Sequence, residues 1–121
     1  MKKLLLVFVL AFLLNFVWEY FHSSLYVFYQ HGPITIPILL RAALFDAVII
    51  VLLYFIFLAS GKIWASVAIA ALFAIALELF ALQTGRWEYN SFMPILPLLK
   101  VGLTPILQLP LLTYATLRLV K

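Results

Sequence analysis

Residues 36–59 read IPILLRAALFDAVIIVLLYFIFLA, with Arg41 and Asp46 as the charged side chains in an otherwise apolar run. A bilayer core of about 30 Å is crossed by about 20 apolar residues in a helix, so this run predicts a membrane-spanning helix. Pro37 suits its first turn, where a missing N–H costs nothing. Asp46, about ten residues in, then lies close to the bilayer midplane, where an aspartate costs roughly 2.5–3.5 kcal/mol unless paired or neutral. Arg41 is about 140° away around the same helix, so the partner of Asp46 is expected from helix 1, 3 or 4. Two readings follow: a functional acid, or a neutral carboxyl tying helices together through a backbone carbonyl.

Working outward, residues 4–26, 64–82 and 96–120 form three more such runs joined by short connections. Of 121 residues 68% are hydrophobic and 10% charged, and mean hydropathy is +1.22, far from the balance of a water-soluble domain. The expected fold is all-α, a polytopic membrane protein forming one four-transmembrane-helix bundle over residues 1–121. Lys2 and Lys3 ahead of Leu4–Leu14 also resemble the start of a signal peptide. The run passes into Asn15-Phe16-Val17-Trp18-Glu19-Tyr20-Phe21-His22, too bulky for a cleavage site, so a retained helix is expected.

The absence of cysteine excludes thiolate catalysis, disulfide exchange and thiolate metal sites. The net charge of +4 comes from cations at helix ends, which mark topology, and no basic stripe tracks a nucleic acid. Lys2, Lys3, Lys62, Arg118 and Lys121 share one side without acids, so both termini are expected in the cytoplasm of a multi-pass cell-membrane protein. Glu19, His22, His31, Arg41, Glu78, Arg86, Glu88 and Lys100 fall in the opposite half.

In helix 1, Asn15, Glu19, His22 and Tyr26 recur at i, i+4, i+7 and i+11 and share one face within about 60°. Glu19 and His22, three residues apart, can hydrogen-bond and pass a proton. The same residues with Trp18 also fit an aromatic belt at the membrane surface. Helix 3 is alanine-rich in its first half, which allows close packing, and then delivers Glu78 before the polar run 83–90. Gly85 is expected to end it in a left-handed cap. Arg86 is placed to cover the mouth of a polar pocket or meet an anionic headgroup, and Glu88 to decorate a solvated loop. In helix 4, Lys100, Thr104 and Gln108 form a second polar stripe at i, i+4 and i+8, and Pro105 and Pro110 are expected to free carbonyls near Val101 and Ile106. Two short echoes, Trp18-Glu19-Tyr20 with Trp87-Glu88-Tyr89 and 39–44 with 98–103, hint at an internal duplication.

Glu78, then Gly85-Arg86-Trp87, then Gly102 and the proline-bearing run Pro105–Pro110 are similar to the membrane lycopene cyclase domain family of carotenoid synthesis. The likeness covers the last third of the chain. It implies an acid before a glycine-x-aromatic element, carried here by Glu78, Gly85 and Trp87. The family's paired glutamates after the proline fall at Leu111 and Leu112.

The expected site is a polar pocket lined by Asn15, Trp18, Glu19, His22, Asp46, Glu78, Arg86, Trp87, Lys100, Thr104 and Gln108. Glu19, His22, Asp46 and Glu78 are its candidate catalytic groups, with Asp46 or Glu78 as acid and the Glu19–His22 pair as base. The chemistry they suit is isomerisation or cyclisation of an isoprenoid or other lipid-soluble substrate, with Trp18 facing a developing carbocation. No cofactor and no metal is expected, and the partners are a membrane lipid or lipid-soluble small molecule and not a nucleic acid. A proton-coupled transporter, with a possible homodimer, and a non-catalytic accessory subunit are the alternatives. An enzyme needs a pocket open to lipid, whereas a transporter needs polar groups through both halves.

Overall fold

A computed structural model describes residues 2–29 and 34–120; His31 and Lys121 lie outside the described residues. Helix α1 spans Lys2–His22, α2 Ile36–Ser60, α3 Ile63–Gln83 and α4 Leu103–Val120, and each is long and apolar enough to cross a membrane. This is the expected four-helix bundle. Large apolar side chains such as Leu13, Leu52, Leu72 and Leu119 point outward, as a helix bundle surrounded by lipid requires.

Small residues set the packing. Ala11, Ala43, Ala47, Ala70 and Ala81 are fully buried, so the helix backbones approach closely at these points, with Val7, Ile50, Leu109 and Leu117 filling the remaining core. Helix α1 packs mainly along α2 and α3 along α4, with α1 and α4 in contact through the centre. Gly61, at φ 72°, turns α2 into α3, and its N–H closes onto the Phe57 carbonyl at 2.8 Å. The expected cap of α3 is present: Gly85 is left-handed at φ 72°, Arg86 N–H bonds to the Ala81 carbonyl at 2.9 Å and Gly85 N–H to that of Leu82 at 3.3 Å.

Three departures from the expected elements position the site. First, α1 stops at His22 rather than running to Tyr26. Ser23 and Ser24 turn their hydroxyls back onto the carbonyls of Tyr20 and Phe21 at 2.9 and 3.2 Å, and a 3-10 turn, Ser23–Leu25, follows. Tyr26–Tyr29, aromatic and β-branched, then forms strand β1, which pairs antiparallel with β2, Trp87–Tyr89. This pairing fixes the α1–α2 and α3–α4 connections at one end of the bundle, here termed the strand end. Lys2, Lys3, Lys62 and Arg118 gather at the other, the terminal end.

Second, α4 begins at Leu103 and not at Leu96. Pro94 and Pro97 cannot donate to a helix ladder, Lys100 takes a left-handed conformation at φ 57°, and Ile95 bridges back to Gly102. The Val101 carbonyl is therefore not freed by Pro105; it accepts from Leu96 N–H at 2.9 Å. Pro110 alone lies inside α4 proper. Third, the sequence echoes are not structural repeats: Trp18-Glu19-Tyr20 is helical whereas Trp87-Glu88-Tyr89 is a strand, and 39–44 is helical whereas 98–102 is loop.

Candidate functional site

Toward the strand end, the facing sides of α2 and α3 part around a cavity of about 300 Å³. Helix α2 contributes Ile38, Ala42, Phe45 and Asp46 from one face with Arg41 at its edge, and α3 contributes Ala74, Leu77 and Glu78. Glu19 enters from α1 and Gln108 from α4, so three of the chain's four carboxyl groups line a single space. Phe45 and Phe80, at 46% and 53% exposure, frame the rim on the outer side of the bundle, and Arg41 and Arg86 line it as exposed cations. Phe45 stacks on Phe73 across α2 and α3, with ring centres 6.3 Å apart.

The amide of Gln108 organises the floor. Its Nε2 lies 3.0 Å from Asn15 Oδ1, 2.9 Å from Glu19 Oε1 and 3.0 Å from Asp46 Oδ2. Asn15 is fully buried, and its own Nδ2 is spent on the Ala11 carbonyl at 2.7 Å, which turns Oδ1 toward Gln108. An amide carries two hydrogens. Two hydrogens therefore face three acceptors, the Asn15 amide oxygen and the carboxyls of Glu19 and Asp46. Asp46 thus faces the bundle interior, as its cost in lipid demands.

Glu78 is held differently. Its Oε1 accepts from Tyr89 Oη at 2.5 Å and from Trp87 Nε1 at 3.3 Å, and Tyr26 also bonds to its carboxyl. Strand pairing brings these donors together: Tyr26 sits opposite Tyr89 on the two strands, their rings 5.3 Å apart. Tyr89 also meets the Gly102 backbone, so one phenol joins α3, β2 and the loop before α4. Burial, then the adjacent Glu78 carboxyl, pushes the Tyr89 phenol above its ordinary range. Tyr89 was not foreseen as a site residue. Its signal was position, two residues past Trp87 on the same strand face, but only strand geometry makes that spacing meaningful.

Several expected partners are elsewhere. His22 Nδ1 is 4.0 Å from Glu19 Oε2, beyond hydrogen-bonding distance, and neither ring nitrogen has a hydrogen-bond partner among the described residues. The imidazole, at the last residue of α1, instead packs edge-on to Tyr26 at 5.0 Å and against Trp18 at 6.2 Å. His22, Trp18 and Thr104 line a separate open groove between α1 and α4, so the residues of the single expected pocket fall into two spaces. The Thr104 hydroxyl lies 3.2 Å from Met93 Sδ. Lys100 is exposed on the loop before α4 and forms no helical stripe with Thr104 and Gln108. Glu88 is exposed, as a solvated strand residue would be. Arg41, which the sequence set apart from Asp46 by its helical angle, nevertheless shares the cavity lining with it.

Among the described residues no group of three or more His, Asp or Glu is placed to hold a metal ion. The ionisable groups of the cavity are Glu19, Asp46, Glu78, Arg41 and Arg86: fully ionised, three negative charges against two positive. The set is one positive charge short. Three carboxyls drawn together away from bulk water resist a net negative charge, so the set suits either an exchangeable proton or a cation formed or bound within it. Comparison with protein-family models, curated proteins and solved structures gives no match.

Proposed function

We propose that the protein catalyses proton transfer on a lipid-soluble substrate, isomerising or cyclising an isoprenoid or a related unsaturated lipid. The observation that carries this reading is the meeting of Glu19 and Asp46 on one crowded nitrogen, Gln108 Nε2, at a cavity that also has apolar and aromatic walls. Asp46 in its acid form adds its proton to a carbon–carbon double bond, leaving a tertiary carbocation. Glu19 as carboxylate then removes a proton from a neighbouring carbon, re-forming a double bond in a new place or ring. Each turnover moves one proton from Asp46 to Glu19, and its return resets the site. Trp87, Tyr26 and Phe45 present aromatic rings around the cavity to the transient cation, the role expected of Trp18 from sequence. Glu78, bonded by its aromatic neighbours, positions Trp87 and Tyr89 in this scheme.

The cavity volume of about 300 Å³ is at the lower bound of ligand sites, about 300–1,000 Å³. It receives one end of a long isoprenoid while the remainder leaves past Phe45 and Phe80 into lipid. The likeness to the membrane lycopene cyclase family rests on Glu78, Gly85 and Trp87, of which Glu78 and Trp87 line the cavity; this supports an isoprenoid substrate. In the same reading the terminal end faces the cytoplasm, supported by Lys2, Lys3, Lys62 and Arg118 gathered there.

A proton-coupled transporter would use the same carboxyls but needs a polar path through the terminal half. The buried polar groups described there are Ser66, Thr113 and Thr116, and Ser66 is already bonded to the Leu53 carbonyl at 2.7 Å. Lipid extracts from cells expressing the wild type, Asp46→Asn or an empty vector test the proposal. A nonpolar lipid converted to an isomer of equal mass in the wild type alone is the expected result. Identical extracts in all three, with proton-driven uptake of a solute lost in Asp46→Asn, would replace it by the transporter.

A further inference from the structure

The loop between β2 and α4 carries an apolar tip that no part of the described chain covers. Leu98 is 96% exposed and Phe92 81%, and Ile95 and Leu99 are also exposed, with Lys100 as the one charged residue from 91 to 102. We infer that this loop is immersed in the membrane leaflet at the strand end, its tip in contact with lipid acyl chains.

Length argues for this first. Helix α4 has 18 residues, about 27 Å, and from Leu103 to Arg118, the cation that marks its terminal end, the rise is about 22 Å. A core of about 30 Å therefore extends past the start of α4. The chain leading into it must cover the remaining depth, and the residues that do so are Ile95, Leu96, Pro97, Leu98 and Leu99.

Backbone chemistry argues for it second. Non-helical chain survives at membrane depth only where its polar backbone groups find partners. Here Leu96 N–H bonds to the Val101 carbonyl at 2.9 Å, Lys100 N–H to that of Leu96 at 2.8 Å and Leu103 N–H to that of Pro94 at 2.7 Å. Pro94 and Pro97 carry no N–H to satisfy. Met93, 4% exposed, anchors the loop to the cluster beneath the strands with Tyr26 and Leu39. The tip is thus held by hydrogen bonds rather than by apolar burial, an arrangement that wastes four large apolar side chains in water and uses them in lipid. Lys100 reaches headgroups by extending its stem along the apolar surface.

The chain has no cysteine of its own, so single spin labels report position without background. Leu98→Cys and Phe92→Cys are labelled in protein reconstituted into phosphatidylcholine–phosphatidylglycerol vesicles, beside Leu52→Cys on the lipid-facing side of α2 and Glu88→Cys on the exposed side of β2. Collision rates with oxygen, which concentrates in lipid, and with a water-soluble nickel chelate are then compared. The expected result is an oxygen-to-nickel ratio at Leu98 and Phe92 severalfold above that at Glu88 and approaching that at Leu52. A ratio equal to that at Glu88 places the loop in water and overturns the inference. Low collision with both reagents places it against a second copy of the chain and overturns it equally.

Discussion

Glu19 on α1 and Asp46 on α2 accept from the same nitrogen, Gln108 Nε2, at 2.9 and 3.0 Å. Asn15 Oδ1 lies 3.0 Å from the same nitrogen, so the amide's two hydrogens face three acceptors and cannot serve all of them fully. With two hydrogens for three acceptors, two of them carboxyls, a proton on one acid supplies the donor that is lacking. This is the feature on which the proposed chemistry rests, and it has a structural side that can be tested separately.

Gln108→Leu preserves volume and removes the shared donor. It leaves the buried Asn15 and Glu19 and the half-buried Asp46 without their common donor, which costs about 1–3 kcal/mol. Reversible unfolding in mixed detergent micelles is expected to show a loss in that range. Unchanged stability would mean that the amide does not hold the floor of the cavity.

Tyr89→Phe carries a pH signature. A phenol whose folded pKa is raised contributes stability that is whole below the unfolded value of about 10 and is lost as pH rises from there through the folded value. The wild type is therefore expected to lose stability above about pH 10 more steeply than Tyr89→Phe. At neutral pH the variant is expected to be the weaker of the two, since Glu78 loses its 2.5 Å donor. Parallel pH profiles in detergent would show that the phenol is not buried against Glu78.

Gly102→Ala tests the close approach at the start of α4. A Cβ there would lie 2.8 Å from Met93 Sδ and 3.0 Å from Pro105 Cγ. Overpacking of this kind costs about 1–3 kcal/mol, and Met93→Ala in the same chain is expected to recover part of it. Thermal unfolding of the single and double variants measures both. A destabilisation that the second substitution leaves untouched would place the cause outside this contact.

The bundle was legible because about 20 consecutive apolar residues have few alternatives to a spanning helix. Asp46 was legible for the same reason, as an aspartate at that depth must find a partner inside the protein. Helical spacing also placed Glu19 and Asn15 on one face, and both meet Gln108. The same periodicity misled at the helix ends. It carried α1 on to Tyr26 and α4 back to Leu96, whereas the serine hydroxyls after His22 and the prolines at 94 and 97 end or delay the helix. His22 illustrates the limit: a three-residue spacing brings it within 4.0 Å of Glu19, but the competing aromatic contact with Tyr26 decides where the ring packs. Tyr89 depends on a strand pairing 63 positions apart in sequence, Tyr26 with Tyr89, which no local pattern encodes.

The most direct test of proton transfer needs no knowledge of the substrate in advance. Purified protein is reconstituted with a lipid extract from its own host, the vesicles are moved into deuterium oxide, and the lipids are followed by mass spectrometry. Proton addition at one carbon and removal at another writes solvent deuterium into a carbon–hydrogen position of the lipid. The account predicts that one unsaturated lipid species gains deuterium with the wild type and not with Asp46→Asn or Glu19→Gln, both of which keep size and hydrogen bonding. Deuterium gain that persists undiminished in both folded variants, or no gain in any lipid with the wild type, would contradict it.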